Sequence, residues 1–172
     1  MQLEGSCHCG AVRFTVESSH PYPYNLCYCS ICRKTQGGGG WAINLSGRAE
    51  TLEIEGESNL RTYHARIPDP HTGEVAVSPA RRRFCGECGT HLWLSDPRWP
   101  ELVHPVASVV DTPLPVPPDR VHMMVDSKAS WVRVYADPAD RMFAEYPDES
   151  IAEWHEHRNL VSDGTPGCGE GG

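Results

Sequence analysis

The stretch GSCHCGAVRFTVE, residues 5–17, carries two messages at once. From Val12 onward apolar and polar residues alternate, with Val12, Phe14 and Val16 on one side and Arg13, Thr15 and Glu17 on the other. Alternation with period two marks a strand with one buried face. Just before it stand Cys7 and Cys9, separated only by His8. A Cys-x-Cys pair closes a strained disulfide ring, so these two thiols point to a metal instead. The stretch predicts a strand that leaves a metal-binding turn.

Two more cysteine groups follow. CYCSIC supplies Cys27, Cys29 and Cys32, CGEC supplies Cys85 and Cys88, and Cys168 stands alone near the end. The opening MQLEGSCHCGAVRF has no basic region followed by an apolar run, and no stretch approaches the ~20 apolar residues of a membrane span. The expected location is therefore the reducing cytoplasm, with no membrane partner. Eight cysteines there favour metal or redox chemistry over disulfides.

Two pairs make four. Cys7, Cys9, Cys85 and Cys88 form, by spacing, a closed all-thiolate zinc site. Cys-x-x-Cys followed by Gly89 is a knuckle whose amides turn toward the sulfurs, and pairs from two distant turns build zinc ribbons. Its binding free energy then becomes part of the folding free energy. Cys27, Cys29 and Cys32 leave one position of a tetrahedral zinc open to water or substrate, the pattern of catalytic sites. A thiol entering that position is deprotonated by the metal. His8, His64, His91, His104 and Cys168 stay open as candidates for a fourth ligand. Neither common ferredoxin spacing matches, which argues against iron–sulfur. The competing reading is that both zinc sites merely staple the fold.

The rest of the chain reads as many short strands. Runs at 41–45, 51–56, 60–64, 74–78, 90–95, 105–110, 121–125 and 131–135 are separated by turn-rich segments such as IPDPHTG and DTPLPVPPD. This predicts a mainly β protein of antiparallel sheets. One good helix is expected near the end: Ser150 and Glu153 form a capping box after Pro147, Ile151, Trp154 and Leu160 line one side, and the helix should stop near Ser162. The breaker-rich tail DGTPGCGEGG is expected to be disordered. Residues 1–147 are thus read as the zinc-binding domain and 148–172 as a C-terminal helix and tail.

A formal charge of −8 argues against nucleic acid as a partner. The one basic run, Arg81, Arg82 and Arg83, precedes Cys85; it either screens the local thiolate charge or lies on a solvated strand face. Arg33 and Lys34 sit beside Cys32, where they can lower thiol pKa values or receive carboxylates; exposed helix-turn charges are the plain alternative. The run Gly37–Gly40 either lets a substrate approach the backbone or serves as a flexible joint.

Taken together, GSCHCGAVRFTVE, CYCSICRKTQGG, RFCGECGTHLW and HMMVDSKASWVRVY resemble the glutathione-dependent formaldehyde-activating enzyme family, which includes the centromere protein V type. The likeness runs from about Leu3 to Pro147, and Lys128, Ala129 and Trp131 support it independently of the cysteines. It implies a mainly β, Mss4-like fold, a structural zinc on Cys7, Cys9, Cys85 and Cys88, and a more labile zinc on Cys27, Cys29 and Cys32. It also implies carbon–sulfur lyase chemistry: a small thiol, glutathione, adds to a small aldehyde, formaldehyde, to give a hemithioacetal. Arg33 and Lys34 are then the candidates to bind glutathione. The C-terminal helix and Cys168 depart from the family pattern. A second reading, from another class, is a non-enzymatic zinc module that senses thiols or metal, or docks a protein partner through that helix.

Overall fold

The first hairpin pairs β1 (Gln2–Ser6) with β2 (Arg13–Glu17), setting Leu3 opposite Val16 and Gly5 opposite Phe14. Val12, Phe14 and Val16 are buried while Arg13 and Glu17 are exposed, as the alternation predicts. The computed structural model describes residues 1–36 and 38–160. The next elements are β3 (Tyr24–Cys27), α1 (Ser30–Gln36), β4 (Ala42–Asn44), β5 (Gly47–Arg48), β6 (Glu53–Glu55) and β7 (Leu60–Tyr63). Then come β8 (Arg66–Pro68), β9 (Val75–Val77), β10 (Arg81–Cys85), β11 (His91–Ser95) and β12 (Leu102–Pro105). The chain continues with β13 (Arg120–Met123), β14 (Arg141–Met142) and α2 (Ile151–His157).

The protein is mainly β. Its sheets run β1-β2-β6, β5-β12-β11-β10-β7, β14-β13-β3-β4 and β8-β9. Antiparallel pairing dominates, and β13 adds parallel pairings with β3 and β14. The first two sheets meet through Phe14 and Trp93, whose rings pack edge-to-face at 5.3 Å over a core with Leu3, Leu45, Leu92 and Val103. The core therefore lies between the hairpin that begins the chain and the strands that leave the last cysteine pair.

Two expected strands are absent. At 105–110 the ladder ends with β12, and Ala107–Val109 forms a 3-10 turn. At 131–135 no strand forms: Trp131 and Tyr135 are exposed and only Val132 is fully buried. The alternation there belongs to an irregular segment that packs Val132 and, in part, Val134 against the core, a pattern that period two alone does not separate from a strand. One helix went unread: α1 is seven residues long, too short for a 3.6-residue apolar pattern to show.

The terminal helix carries the expected capping box. Ser150 Oγ accepts from the Glu153 amide at 3.2 Å, and Glu153 Oε2 accepts from the Ser150 amide at 2.7 Å. It ends at His157 rather than near Ser162, because Asn159 adopts a left-handed conformation (φ 54°) and the Leu160 amide returns to the His155 carbonyl. Trp154 is buried, and with Ile151 it lines a small cavity against Pro23, Asn25, Val121 and Phe143. The tail expectation and Cys168 lie outside the described residues. No helix among the described residues is long and apolar enough to cross a membrane.

Candidate functional site

The structure gathers the cysteines into two groups. The sulfurs of Cys7, Cys9, Cys85 and Cys88 all lie within 4.8 Å of one another, and so do those of Cys27, Cys29 and Cys32.

The four-sulfur group is built from two matching turns. In one, Gly10 donates to the Cys7 carbonyl at 2.9 Å; in the other, Gly89 donates to the Cys85 carbonyl at 2.9 Å. Both glycines have φ +75°, a conformation that a side chain strains. The Val12 amide donates to Cys7 Sγ at 3.2 Å. Thr90 joins the turns: its hydroxyl accepts from the His8 amide at 3.3 Å and lies 3.1 Å from Cys88 Sγ. The Thr90 hydroxyl and amide lower the Cys88 thiol to about 5. At Cys9 the Ala11 amide lowers the thiol, but Cys7 and Cys88 outweigh it and the value rises to about 12.

This donor set fits zinc. Bonds of about 2.3 Å to four tetrahedral sulfurs space those sulfurs roughly 3.8 Å apart. Cys7 and Cys9 are separated by 3.5 Å, and Cys9 and Cys85 by 3.7 Å.

The three-sulfur group sits where β3 turns into α1. Cys27 ends β3, between Met123 of β13 and Ala42 of β4. Cys29 precedes α1, and Cys32 lies in its first turn, donating its amide to Cys29 Sγ at 3.4 Å. Cys27 and Cys32 are buried and Cys29 is half-buried, so Cys29 marks the side facing solvent. Hydrogen bonds from Cys27 and Cys32 lower Cys29 to about 2, while the contacts with Cys29 and Cys32 push Cys27 far up. At Cys32 the Cys27 contact lowers the thiol, but Cys29 and burial outweigh it, and the value rises to about 11. An all-thiolate set again suits zinc among the common metals.

Among the described residues no fourth Cys, His, Asp or Glu joins this group. The histidines open as ligands are engaged elsewhere or exposed. His64 Nδ1 bonds the Ser78 carbonyl at 3.0 Å, His91 Nε2 the Trp93 carbonyl at 3.2 Å and His104 Nδ1 the Leu45 carbonyl at 3.0 Å. His8 is exposed beside the other group. Arg33 is half-buried and Lys34 exposed, and no hydrogen bond or ion pair holds either side chain among the described residues. Gly40 serves packing rather than access: a Cβ there would meet Val132 at 2.3 Å.

Several residues around this group escape a reading of motifs. Arg82, in the basic run, is buried rather than solvated, and its Nη1 has no hydrogen-bond partner among the described residues. Its charge acts on Cys32, His91 and Asp96, and in each case it lowers the pKa. Tyr28, between two of the cysteines, is buried and bonds His122 Nδ1 at 2.8 Å. Nothing in the spacing of the sequence ties Tyr28 to a histidine that far along the chain. Thr90, by contrast, directly follows the Cys-x-x-Cys-Gly motif and is legible as a turn partner.

A family model described as glutathione-dependent formaldehyde-activating enzyme matches residues 2–127. A curated Halomonas elongata protein carrying the same family name is 58% identical over 160 residues, covering 93% of this chain and 98% of that protein. At most 12 residues of the chain lie outside that match, so Ile151–His157 falls within the matched span. A crystal structure of a Rhodobacter sphaeroides protein matches at 28% identity with a TM-score of 0.47, covering 67% of this chain and 92% of that one. With seven of its cysteines set in two convergent groups and matches spanning most of its length, the chain belongs to the glutathione-dependent formaldehyde-activating enzyme family.

Proposed function

We propose that this chain holds zinc at both cysteine groups and, at the three-sulfur group, adds the thiol of glutathione or a similar small thiol to formaldehyde or another small aldehyde. One observation carries the reading: Cys27, Cys29 and Cys32 converge within 4.8 Å, with no fourth protein ligand among the described residues. Cys27, Cys29 and Cys32 would hold the zinc, which would supply the means to keep a small thiol deprotonated near neutral pH.

The chain's own part is to place and neutralise. The end of β3 and the first turn of α1 hold the three sulfurs, with Cys29 toward solvent. Arg33 and Lys34 put two positive charges on α1 for the carboxylates of glutathione. The thiol sulfur attacks the aldehyde carbon and a carbon–sulfur bond forms. The carbonyl π pair moves to oxygen, which takes the proton the thiol gave up. No oxidant or reductant is needed, and the reverse step is a carbon–sulfur lyase reaction. The group of Cys7, Cys9, Cys85 and Cys88 ties the first hairpin to β10 and β11. A reducing cytoplasm suits a chain in which none of the seven described cysteines forms a disulfide.

The docking alternative gains nothing from α2, whose Trp154 is 2% exposed and packed on this chain's own body. The test is a Cys32→Ser variant followed by NMR exchange between formaldehyde, glutathione and their adduct. The reading expects the rate to fall to the uncatalysed value while the other zinc is retained; an unchanged rate removes the three-sulfur group from the chemistry.

A further inference from the structure

Tyr28 separates Cys27 from Cys29, and its ring points into the molecule, where it is 1% exposed. Its hydroxyl lies 2.8 Å from His122 Nδ1, and the two rings stack with centroids 5.9 Å apart and planes 20° apart. His122 Nε2 lies 3.1 Å from Asp140 Oδ2. The side chains of His122 and Asp140 are each 1% exposed. Asp140 also accepts from the Arg120 amide at 2.8 Å, from Arg120 Nε at 3.1 Å and from the Asp137 amide at 3.0 Å.

The donors and acceptors fall in one order. Burial raises the Asp140 carboxyl, but these hydrogen bonds outweigh it and hold it at about 2, so it is ionised and only accepts. His122 therefore donates from Nε2, and in the neutral ring Nδ1 accepts from the Tyr28 hydroxyl. The chain of bonds runs from a fixed carboxylate to the tip of Tyr28. The backbone of the same residue is pinned as well, since the Tyr28 amide donates to the Met123 carbonyl at 3.1 Å.

Burying an ionised carboxylate and two polar rings is not the cheapest way to fill a core; apolar side chains of like volume do as well or better. None of the three side chains reaches solvent, so none touches a substrate. What they share is a connection to the residue between two sulfurs. We propose that Tyr28, His122 and Asp140 form a positioning device that fixes the direction of Cys27 and Cys29 and so holds the three-sulfur group in metal-binding geometry. The inference rests on the reading that this group holds zinc.

The test is extraction of zinc from the full-length, zinc-loaded protein by a chromogenic chelator. Wild type should release one zinc readily and retain the other. In Tyr28→Phe, which keeps the ring and loses only the hydroxyl, the labile zinc should bind about 10- to 100-fold more weakly, the loss typical of partners that orient metal ligands. Asp140→Asn should act in the same direction, and the tightly held zinc should be retained in both. Tyr24→Phe is the control: it removes a hydroxyl bonded to the Pro115 carbonyl at 2.8 Å, on the same strand but away from the sulfurs, and should match wild type. Equal extraction from Tyr28→Phe and wild type overturns the inference. So does an equal shift in Tyr28→Phe and Tyr24→Phe, or loss of both zinc ions from Tyr28→Phe. A wild-type chain that holds a single zinc overturns the reading beneath the inference, and the inference with it.

Discussion

The sulfur of Cys9 lies 3.7 Å from that of Cys85, its partner across 76 residues of chain. The contact joins the turn between β1 and β2 to the turn between β10 and β11, and the aromatic pair Phe14 and Trp93 lies in β2 and β11, the strands that leave those two turns. Metal binding and core packing therefore act on the same junction.

Cys85→Ser should consequently cost more than one ligand. Structural zinc contributes to folding directly, on the order of 10 kcal/mol in small zinc modules. The variant is expected to lose the tightly held zinc and the cooperative thermal transition together. Calorimetry beside metal analysis checks this; a cooperative transition near the wild-type temperature in the zinc-free variant contradicts it.

Thr90 links the two turns of the same group through its hydroxyl. Thr90→Val keeps the shape and removes the bonds to His8 and Cys88. Competition with a strong chelator should show the tight zinc weakened about tenfold, with Thr90→Ser restoring most of the affinity.

Phe14 tests the junction from the packing side. It is 2% exposed and meets Trp93 edge-to-face. Phe14→Ala is expected to lower unfolding free energy by about 3–5 kcal/mol in urea titration with zinc present. A loss below about 1 kcal/mol would place the core elsewhere.

His91 gives the fold a dependence on pH. Burial, helped by the charge of Arg82, lowers it to about 4, against its bond to the Trp93 carbonyl. Between that value and the ordinary histidine value near 6.5, the unfolded chain binds a proton that the folded chain does not, so stability falls as pH falls through this window. At pH 5 the loss attributable to His91 is about 2 kcal/mol. Denaturant unfolding at pH 7 and pH 5 should show a smaller drop for His91→Gln than for wild type; parallel drops contradict the assignment.

Much of this is legible in the order of residues. Alternation at Val12, Phe14 and Val16 identifies the buried face of β2, and Ser150 with Glu153 marks the start of α2, because both are local patterns with one physical cause. The grouping of Cys7 and Cys9 with Cys85 and Cys88 follows from counting ligands. The segment around Trp131 misled because alternation does not reveal whether a neighbouring strand is present to pair. For Arg82 the sequence left two readings open, and its burial with its charge acting on Cys32 favours screening of the thiolates over a solvated strand face. The bonds from Tyr28 to His122 and from His122 to Asp140 leave no mark in the sequence, since they arise only when β13 lies between β3 and β14.

The measurement that bears most directly on the central claim is native mass spectrometry of the full chain, with and without glutathione. The account predicts two zinc ions per chain, one readily lost, and a glutathione adduct that forms only while the labile zinc is present. A single zinc in protein purified without chelator, with no gain on zinc addition and no glutathione bound, would contradict it.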